Sequence, residues 1–117
     1  GVMAKDIILH VIGEIGFDGA TYRALQFDGG GVSSLSMDDR MTIANMAIEA
    51  GGKNGIFPFD ARTAEFVEAR TRLNGTRTDY EPVEADADQK SVSQLTLDLA
   101  KLEPTVACHP DPGHTYL

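Results

Sequence analysis

The sequence predicts an α/β protein, in the form of a three-layer α/β/α domain with a small, largely parallel sheet. Helical and strand patterns alternate along the chain in the order helix, strand, helix, strand, helix, which is typical of parallel strands joined by helices. The hydrophobic fraction of 42% with 24% charged residues is that of a globular chain able to bury a core. A length of 117 residues corresponds to one domain, 1–117.

The first two elements are a helix and a short strand. Apolar residues recur at helical spacing over residues 4–15, and Gly16 follows as a helix stop. Residues 21–27 are rich in Thr, Tyr and Phe and are flanked by turn-forming glycines, which favours a strand. These two segments provide the first helix and the first strand of the sheet.

The second helix begins after Ser36, whose hydroxyl can cap free amides, and ends at the glycine stop of Gly51. Asn45 and Glu49 are four residues apart, so we expect them on one helical face. Two interpretations of this pair stay open. One is a solvated polar face, and the other is a carboxylate that orients a histidine from elsewhere beside an amide that donates to an anionic ligand or cofactor.

A short buried strand and a third helix follow. Residues 55–57 form an apolar run after glycines, which predicts the strand. Asp60 is placed to cap the next helix, which carries Phe66 and Val67 on one side and charged residues elsewhere. These elements complete the alternating order on which the fold class depends.

The last third of the chain changes character. Residues 74–90 are acidic and poorly patterned and are predicted to be a connector, and residues 87–92 could form a short helix at its end. Leucines alternate with polar residues over 95–99, which predicts a final strand. Residues 108–117 are predicted to be a C-terminal connector.

Charge and cysteine usage exclude several classes of function. Asp and Glu number 18 against 10 for Lys and Arg, and the net charge of -8 disfavours binding to nucleic acid or anionic lipid. No apolar run approaches the roughly 20 residues that span a bilayer, and the N-terminus lacks a signal-peptide layout. The single cysteine, Cys108, excludes an internal disulfide and fits a reducing compartment. We therefore expect a cytoplasmic protein that binds neither nucleic acid nor membrane.

Two other stretches, residues 28–34 and 108–114, carry weak signals of a ligand site. The glycine-rich run 28–34 lacks both the P-loop lysine and the dinucleotide spacing, so a flexible turn is favoured over a phosphate cradle. Cys108, His109 and His114 match no standard zinc spacing, and a connector is favoured over a metal site. The role of these three residues stays open. His10 lies between apolar neighbours on the first helix, where packing is favoured over catalysis.

Three stretches together resemble a known family. They are Ala4-Lys5-Asp6-Ile7-Ile8-Leu9, Asp18-Gly19-Ala20-Thr21-Tyr22 and Leu35-Ser36-Met37-x-x-Arg40-Met41-Thr42-Ile43-x-Asn45-Met46-x-x-Glu49-x-Gly51. In this order they resemble the large subunits of 3-isopropylmalate dehydratases and their relatives in the aconitase superfamily. The resemblance covers roughly residues 3–107. It implies the second of three α/β domains, of the aconitase iron-sulfur-domain type, which pack around a [4Fe-4S] cluster.

The resemblance also implies roles for the two residues on the second helix. Asn45 corresponds to a residue near the cluster and its ligands, and Glu49 to one that orients an active-site histidine from another domain. A carboxylate hydrogen-bonded to imidazole fixes its orientation and favours its charged form, which helps to protonate a departing hydroxyl. The cluster would be held by cysteines outside this sequence, where its iron acts as a Lewis acid. Neither a cofactor nor a protein-bound metal is expected in the 117 residues themselves.

The implied function is that of a fragment of a [4Fe-4S] hydro-lyase, inactive alone. The first expectation is isomerisation of 2- and 3-isopropylmalate by dehydration and rehydration, in leucine biosynthesis. Aconitase, homoaconitase and dimethylmalate dehydratase are alternatives, as is a non-catalytic α/β binding module, so the hydroxy di- or tricarboxylate substrate stays open. Expected partners are the remaining domains of the large subunit, a small subunit or swivelling domain, and a second copy of the fragment.

Overall fold

The α/β class and a small parallel sheet are confirmed by a computed structural model that describes residues 1–76, 79–110, 112 and 115–116. Helices and strands within these ranges are α1 (Ala4–Ile15), β1 (Ala24–Gln26), α2 (Met37–Asn45), β2 (Asn54–Ile56), α3 (Ala61–Asn74), β3 (Val106–Ala107) and β4 (Thr115–Tyr116). Short 3-10 helices occupy Gly30–Ser34, Met46–Ala50 and Leu99–Lys101. Strands β1 and β2 pair in parallel, whereas β3 and β4 pair antiparallel.

The chain divides into two compact units. The first comprises Gly1–Phe57 with Asp98–Leu117 and contains α1, α2 and both sheets. The second, Pro58–Leu97, contains α3 and the acidic segment. Asn45 and Glu49 both belong to the first unit, so the site is described from that unit alone.

Helix α1 has the predicted bounds and supplies most of the core of the first unit. Its apolar stripe is buried, and Ile8 and Ile12 are completely enclosed. Ile43 of α2 is 1% exposed and packs in the same core, since α1 and α2 contact each other. Burial of each isoleucine stabilises the fold by roughly 1.5–3 kcal/mol. The helix ends at Gly16, whose φ of 82° is a conformation that glycine adopts without strain.

Asp6 joins the start of α1 to the C-terminal segment. Its side chain is buried, and its Oδ2 accepts a hydrogen bond from the Met3 amide at 2.6 Å. Its Oδ1 accepts another from the Thr105 amide at 2.8 Å. The N–H groups of Met3 and Thr105 lower the pKa of Asp6 below its ordinary value, because both favour the ionised carboxylate. Asp6, which belongs to the first sequence motif, therefore stabilises the fold by joining the start of α1 to the C-terminal segment.

We expect Asp6→Asn to destabilise the protein at neutral pH, because the amide loses the charge that both N–H groups favour. The pKa of Asp6 is lower in the folded protein than in the unfolded chain. The stabilisation is therefore complete above the unfolded pKa of about 3.9 and is lost as the pH falls through the folded pKa. Urea unfolding from pH 7 to pH 2 should show the gap between wild type and Asp6→Asn closing in acid. Glu65→Gln, at an exposed position, is the control, and a gap independent of pH would contradict the assignment.

The first strand is shorter than predicted. The sequence favours a strand over 21–27, but β1 contains only three of these residues. Tyr22 has a φ of 61°, which is a left-handed conformation incompatible with a strand. The Thr21 amide donates to the Asp18 carbonyl at 3.1 Å, so the chain turns before it extends. The strand prediction is therefore wrong at its N-terminal end.

Strand β2 lies against α2 but is not buried as predicted, since Ile56 is 47% exposed. A Cβ atom on Gly55 would lie 2.8 Å from the Cα atom of Ala44, closer than side chains approach backbone. Only glycine therefore permits this approach of strand to helix. Because Ala44 immediately precedes Asn45, the contact fixes the end of α2 where the candidate site begins.

The second unit contains one helix and an irregular acidic segment. Asp60 caps α3 as predicted, because its Oδ1 accepts a hydrogen bond from the Thr63 amide at 3.1 Å. Phe66 and Val67 are half-buried. Residues 79–97 contain neither helix nor strand, so the helix at 87–92 and the strand at 95–99 are wrong. Leucine alternation alone provides no partner strand with which to pair.

None of the helices in the described ranges is both long and apolar enough to cross a bilayer.

Candidate functional site

The helix that carries the candidate residues begins with a reciprocal cap. The Ser36 hydroxyl accepts a hydrogen bond from the Asp39 amide at 3.1 Å, and the Asp39 carboxylate accepts one from the Ser36 amide at 3.0 Å. Two N–H groups that the helix leaves free are thereby satisfied. The predicted cap at Ser36 is confirmed, and it sets the start of α2.

Arg40 is a buried arginine that the sequence patterns do not reveal. It is 2% exposed, and its Nε donates to the Leu35 carbonyl at 3.2 Å. Its Nη2 donates to the Val32 carbonyl at 3.1 Å. The planar guanidinium suits two acceptors spread along one turn, so Arg40 ties the segment before α2 to the helix itself. Sequence reasoning treated Arg40 only as part of a motif, with no signal of its burial.

The helix tightens where the site begins. The α-helix ends at Asn45, residues 46–50 form a 3-10 helix, and Gly51 closes it with a φ of 80°. A 3-10 helix has three residues per turn, so residues four apart do not lie one above the other. The expected stacking of Asn45 and Glu49 on one α-helical face is therefore wrong.

The predicted apolar side of this segment is also only partly correct. The α-helical spacing of the sequence predicts an apolar side formed by Met37, Ala44, Ala47 and Ile48, opposite Asn45 and Glu49. Ala47 is 1% exposed, as expected, but Ile48 is 66% exposed. The change of helix type turns Ile48 outward beside Glu49, because each residue of a 3-10 helix advances further around the axis than in an α-helix. An apolar side chain thus joins the polar one at the surface.

Asn45 and Glu49 both face outward. Both residues are exposed. Within the part of the chain that the structure describes, neither side chain has a hydrogen bond or an ion pair. The backbone of the two residues lies at the end of α2 and in the 3-10 helix that Gly51 closes. The amide of Asn45 and the carboxylate of Glu49 are accessible to groups from outside. This arrangement suits residues that contact a partner or ligand, and it equally suits solvated residues.

Glu49 lies in an open depression of about 430 Å³. The other described residues that line it are apolar, namely Phe17, Ile48, Pro110 and Pro112. They come from the turn after α1, from the 3-10 helix and from the C-terminal segment. Sequence reasoning missed Phe17 and the two prolines because residues so far apart along the chain share no local pattern.

The glycine-rich run is a folded turn. It forms the 3-10 helix Gly30–Ser34, in which the hydroxyls of Ser33 and Ser34 donate to carbonyls three residues earlier. The Asp28 carboxylate accepts a hydrogen bond from the Gly29 amide at 2.7 Å. A carboxylate at the start of the run repels a phosphate, so the interpretation as a turn is favoured further.

The remaining candidates show no ligand geometry in the part of the chain that the structure describes. Cys108 is half-buried and His109 exposed, whereas His114 lies outside the described residues. Among the described residues, no three of the metal-ligating types are grouped to hold a metal ion. His10 is half-buried on α1, with its Nε2 3.8 Å from an oxygen of Glu14.

The fold and the site together define a small α/β domain that presents an amide and a carboxylate at the exposed end of a capped helix. Comparison with known proteins then places the chain within a family. The profile of the Aconitase family (aconitate hydratase) matches residues 1–116. The chain belongs to the aconitase family.

The relatives are named as large subunits of dehydratases. The 3-isopropylmalate dehydratase large subunit of Clostridium kluyveri is 53% identical over 97% of this chain and 26% of its own length. The corresponding subunit of Clostridioides difficile is 52% identical over 97% and 27%. The 2,3-dimethylmalate dehydratase large subunit of Eubacterium barkeri is 52% identical over 97% and 26%. The chain thus spans about a quarter of these curated relatives, and the resemblance read from its motifs is confirmed.

Proposed function

We propose that this chain works as one domain of a longer hydro-lyase subunit, and that the reaction is the isomerisation of 2- and 3-isopropylmalate. The observation that carries the proposal is the match to the aconitase family over residues 1–116. The exposed pair of Asn45 and Glu49, without partners among the described residues, is compatible with it. Similarity to dehydratase large subunits over 97% of the chain supports the reaction class. By itself the chain is inactive in this proposal, because the other groups of the active site lie elsewhere.

Glu49 acts in this proposal as a positioning residue for a histidine of another domain. Its carboxylate accepts a hydrogen bond from one imidazole N–H and thereby fixes the ring's orientation. The negative charge also favours the imidazolium form, which can protonate a departing hydroxyl. The apolar residues beside Glu49 would strengthen this interaction once water is excluded, since charges interact more strongly in a low dielectric.

Asn45 supplies a neutral amide in the same proposal. Its N–H donors can position a substrate oxygen or approach the cluster and its ligands without adding charge. The chain's own residues do not fit as ligands of a [4Fe-4S] cluster, because it has one cysteine and such a cluster needs several thiolates. We therefore place the cysteine ligands outside residues 1–117.

The substrate belongs to the hydroxy di- and tricarboxylates. A 2,3-dimethylmalate dehydratase subunit is 52% identical to this chain, compared with 53% for an isopropylmalate dehydratase subunit, so a dimethylmalate is the second candidate. With a net charge of -8, the chain depends on cationic groups outside it to bind the carboxylates. A small subunit or swivelling domain completes the site, and the proposed compartment is the cytoplasm.

A graft tests the proposed function. In the graft, this chain replaces the corresponding 114 residues of the Clostridium kluyveri large subunit, which is then assayed with the small subunit of that enzyme. We expect turnover of isopropylmalate within about tenfold of the unmodified enzyme, because most of the supporting contacts are retained at 53% identity. A folded, cluster-loaded graft that turns over no hydroxy acid would favour the non-catalytic module. Preference for dimethylmalate would change the substrate and keep the reaction class.

A further inference from the structure

The dipeptide Asn-Gly occurs twice in the chain, at Asn54-Gly55 and at Asn74-Gly75. Its two residues can react with each other, because glycine has no side chain to shield its backbone nitrogen from the amide carbon of the asparagine before it. Both asparagines are exposed, so access to water is common to the two sites. A difference in their reactivity therefore has to come from the backbone.

The backbone of Asn54-Gly55 is held in strand β2. Asn54 pairs with Ala24, and Gly55 pairs with Leu25, in the parallel sheet. A Cβ atom on Gly55 would lie 2.8 Å from the Cα atom of Ala44, so helix α2 packs directly against this glycine. The nitrogen of Gly55 cannot turn towards the side chain of Asn54 unless the strand first leaves the sheet.

The backbone of Asn74-Gly75 is open by comparison. Asn74 is the last residue of α3, and Gly75 follows it with a φ of 63°. Apart from its chain neighbours, no described atom lies within 4 Å of the place that a Cβ atom on Gly75 would take. Within the described ranges, neither the Gly75 N–H nor the side-chain amide of Asn74 has a hydrogen-bond partner. The nitrogen and the amide carbon are thus free to approach each other.

We propose that Asn74 is a site of spontaneous deamidation and that the fold protects Asn54 from the same reaction. The Gly75 nitrogen attacks Cγ of Asn74 and loses its proton to the solvent. The bond from Cγ to Nδ2 breaks, and Nδ2 takes up a proton and leaves as ammonia. Water then adds to one of the two carbonyl carbons of the resulting succinimide and opens the ring to aspartate or isoaspartate. The reaction needs only water, so it does not depend on the proposed function.

The modification changes the end of α3 in two ways. A new carboxylate at position 74 lies at the negative end of the helix dipole, where a negative charge is unfavourable. Isoaspartate also lengthens the main chain by one carbon atom, which removes the geometry in which Gly75 ends the helix. Helix α3 lies wholly within the described residues and has no buried side chain, so fraying of its last turn exposes little apolar surface. The reaction can therefore proceed in the folded protein.

Peptide mapping of the aged 117-residue chain tests the proposal. After incubation at mildly alkaline pH, trypsin releases peptides 54–62 and 73–77, and chromatography with mass spectrometry measures aspartate and isoaspartate in each. In the folded chain we expect Asn74 to react at least about tenfold faster than Asn54, because only Asn54 must wait for the sheet to open. In guanidinium chloride the two rates should agree within about threefold, because unfolding removes the difference between two identical dipeptides.

Gly75→Ala is the matched variant. Its methyl group shields the attacking nitrogen, so we expect the rate at position 74 to fall at least about tenfold, in the folded and in the unfolded chain. The rate at Asn54 should stay unchanged in this variant, since the substitution lies in the other compact unit.

Two results would overturn the proposal. One is equal rates at the two asparagines in the folded chain, and the other is an unreacted Asn74 after a time that converts the unfolded chain. Hydrogen exchange at the amides of buried Ile8 and Ile12 reports whether the chain is folded during incubation. If it is not, the same two peptides from the Clostridium kluyveri graft decide the question, whether or not the graft turns over a hydroxy acid.

Discussion

Glu49→Gln in the active graft is expected to lower kcat by about 100-fold or more, with little change in KM. Glutamine keeps the shape of the side chain but removes the charge that favours an imidazolium, so the protonation of a departing hydroxyl loses its acid. The loss is expected in kcat because that interaction strengthens as the hydroxyl departs. Steady-state kinetics with isopropylmalate over a range of pH gives both constants.

Glu14→Gln is the matched control for this variant. Glu14 is an exposed carboxylate near the end of α1 and does not line the depression, so its replacement should leave both constants within twofold or so of the parent. Thermal unfolding of Glu49→Gln should match the parent, because an exposed side chain without described partners contributes little to stability. An unchanged kcat in Glu49→Gln would show that Glu49 is a solvated residue without a role in turnover.

Arg40→Met is expected to destabilise the 117-residue chain by about 2–4 kcal/mol. The variant keeps an apolar stem of similar length, but it leaves the carbonyls of Val32 and Leu35 without the donors that the guanidinium provides. The Val32 carbonyl keeps the Leu35 amide as a donor at 3.1 Å, so the cost comes from the two lost charge-assisted hydrogen bonds and from the Leu35 carbonyl, which loses the guanidinium donor. Urea unfolding at pH 7 measures the change in the free energy of unfolding.

Arg40→Lys separates charge from geometry at the same position. Lysine keeps the positive charge, so we expect a smaller loss of stability than in Arg40→Met. It cannot reach both carbonyls with one planar group, so we still expect some loss relative to the parent. A free energy of unfolding equal to the parent's in both variants would show that the turn before α2 does not depend on Arg40. Loss of stability in Arg40→Met alone would assign the role to the charge rather than to the fork of donors.

Local chemistry explains which parts of the fold were predictable. The bounds of α1 and the caps at Ser36 and Asp60 depend on residues within one helical turn, so the sequence predicts them correctly. The glycine stops at Gly16 and Gly51 are equally local, because a positive φ favours glycine wherever the chain must turn. The α/β class follows from the order of such elements.

Long-range packing explains which parts were not predictable. The shift from α-helix to 3-10 helix after Asn45 depends on how the segment meets β2 and the turn after α1. Phe17 and the two prolines line one depression from distant parts of the chain. The burial of Arg40 has no signal in the local sequence pattern. The spacing of Asn45 and Glu49 predicts a shared helical face, which is wrong, whereas their functional interpretation rests on resemblance to a family. Their roles stay predictions.

The central claim is that this chain contributes Asn45 and Glu49 to an active site completed by other parts of a longer subunit. Its most direct measurement is turnover of isopropylmalate and citrate by the purified 117-residue chain beside the graft, under the same anaerobic conditions and with the same small subunit. The account predicts no turnover by the chain and measurable turnover of isopropylmalate by the graft. Turnover by the chain, with or without the small subunit, would contradict it.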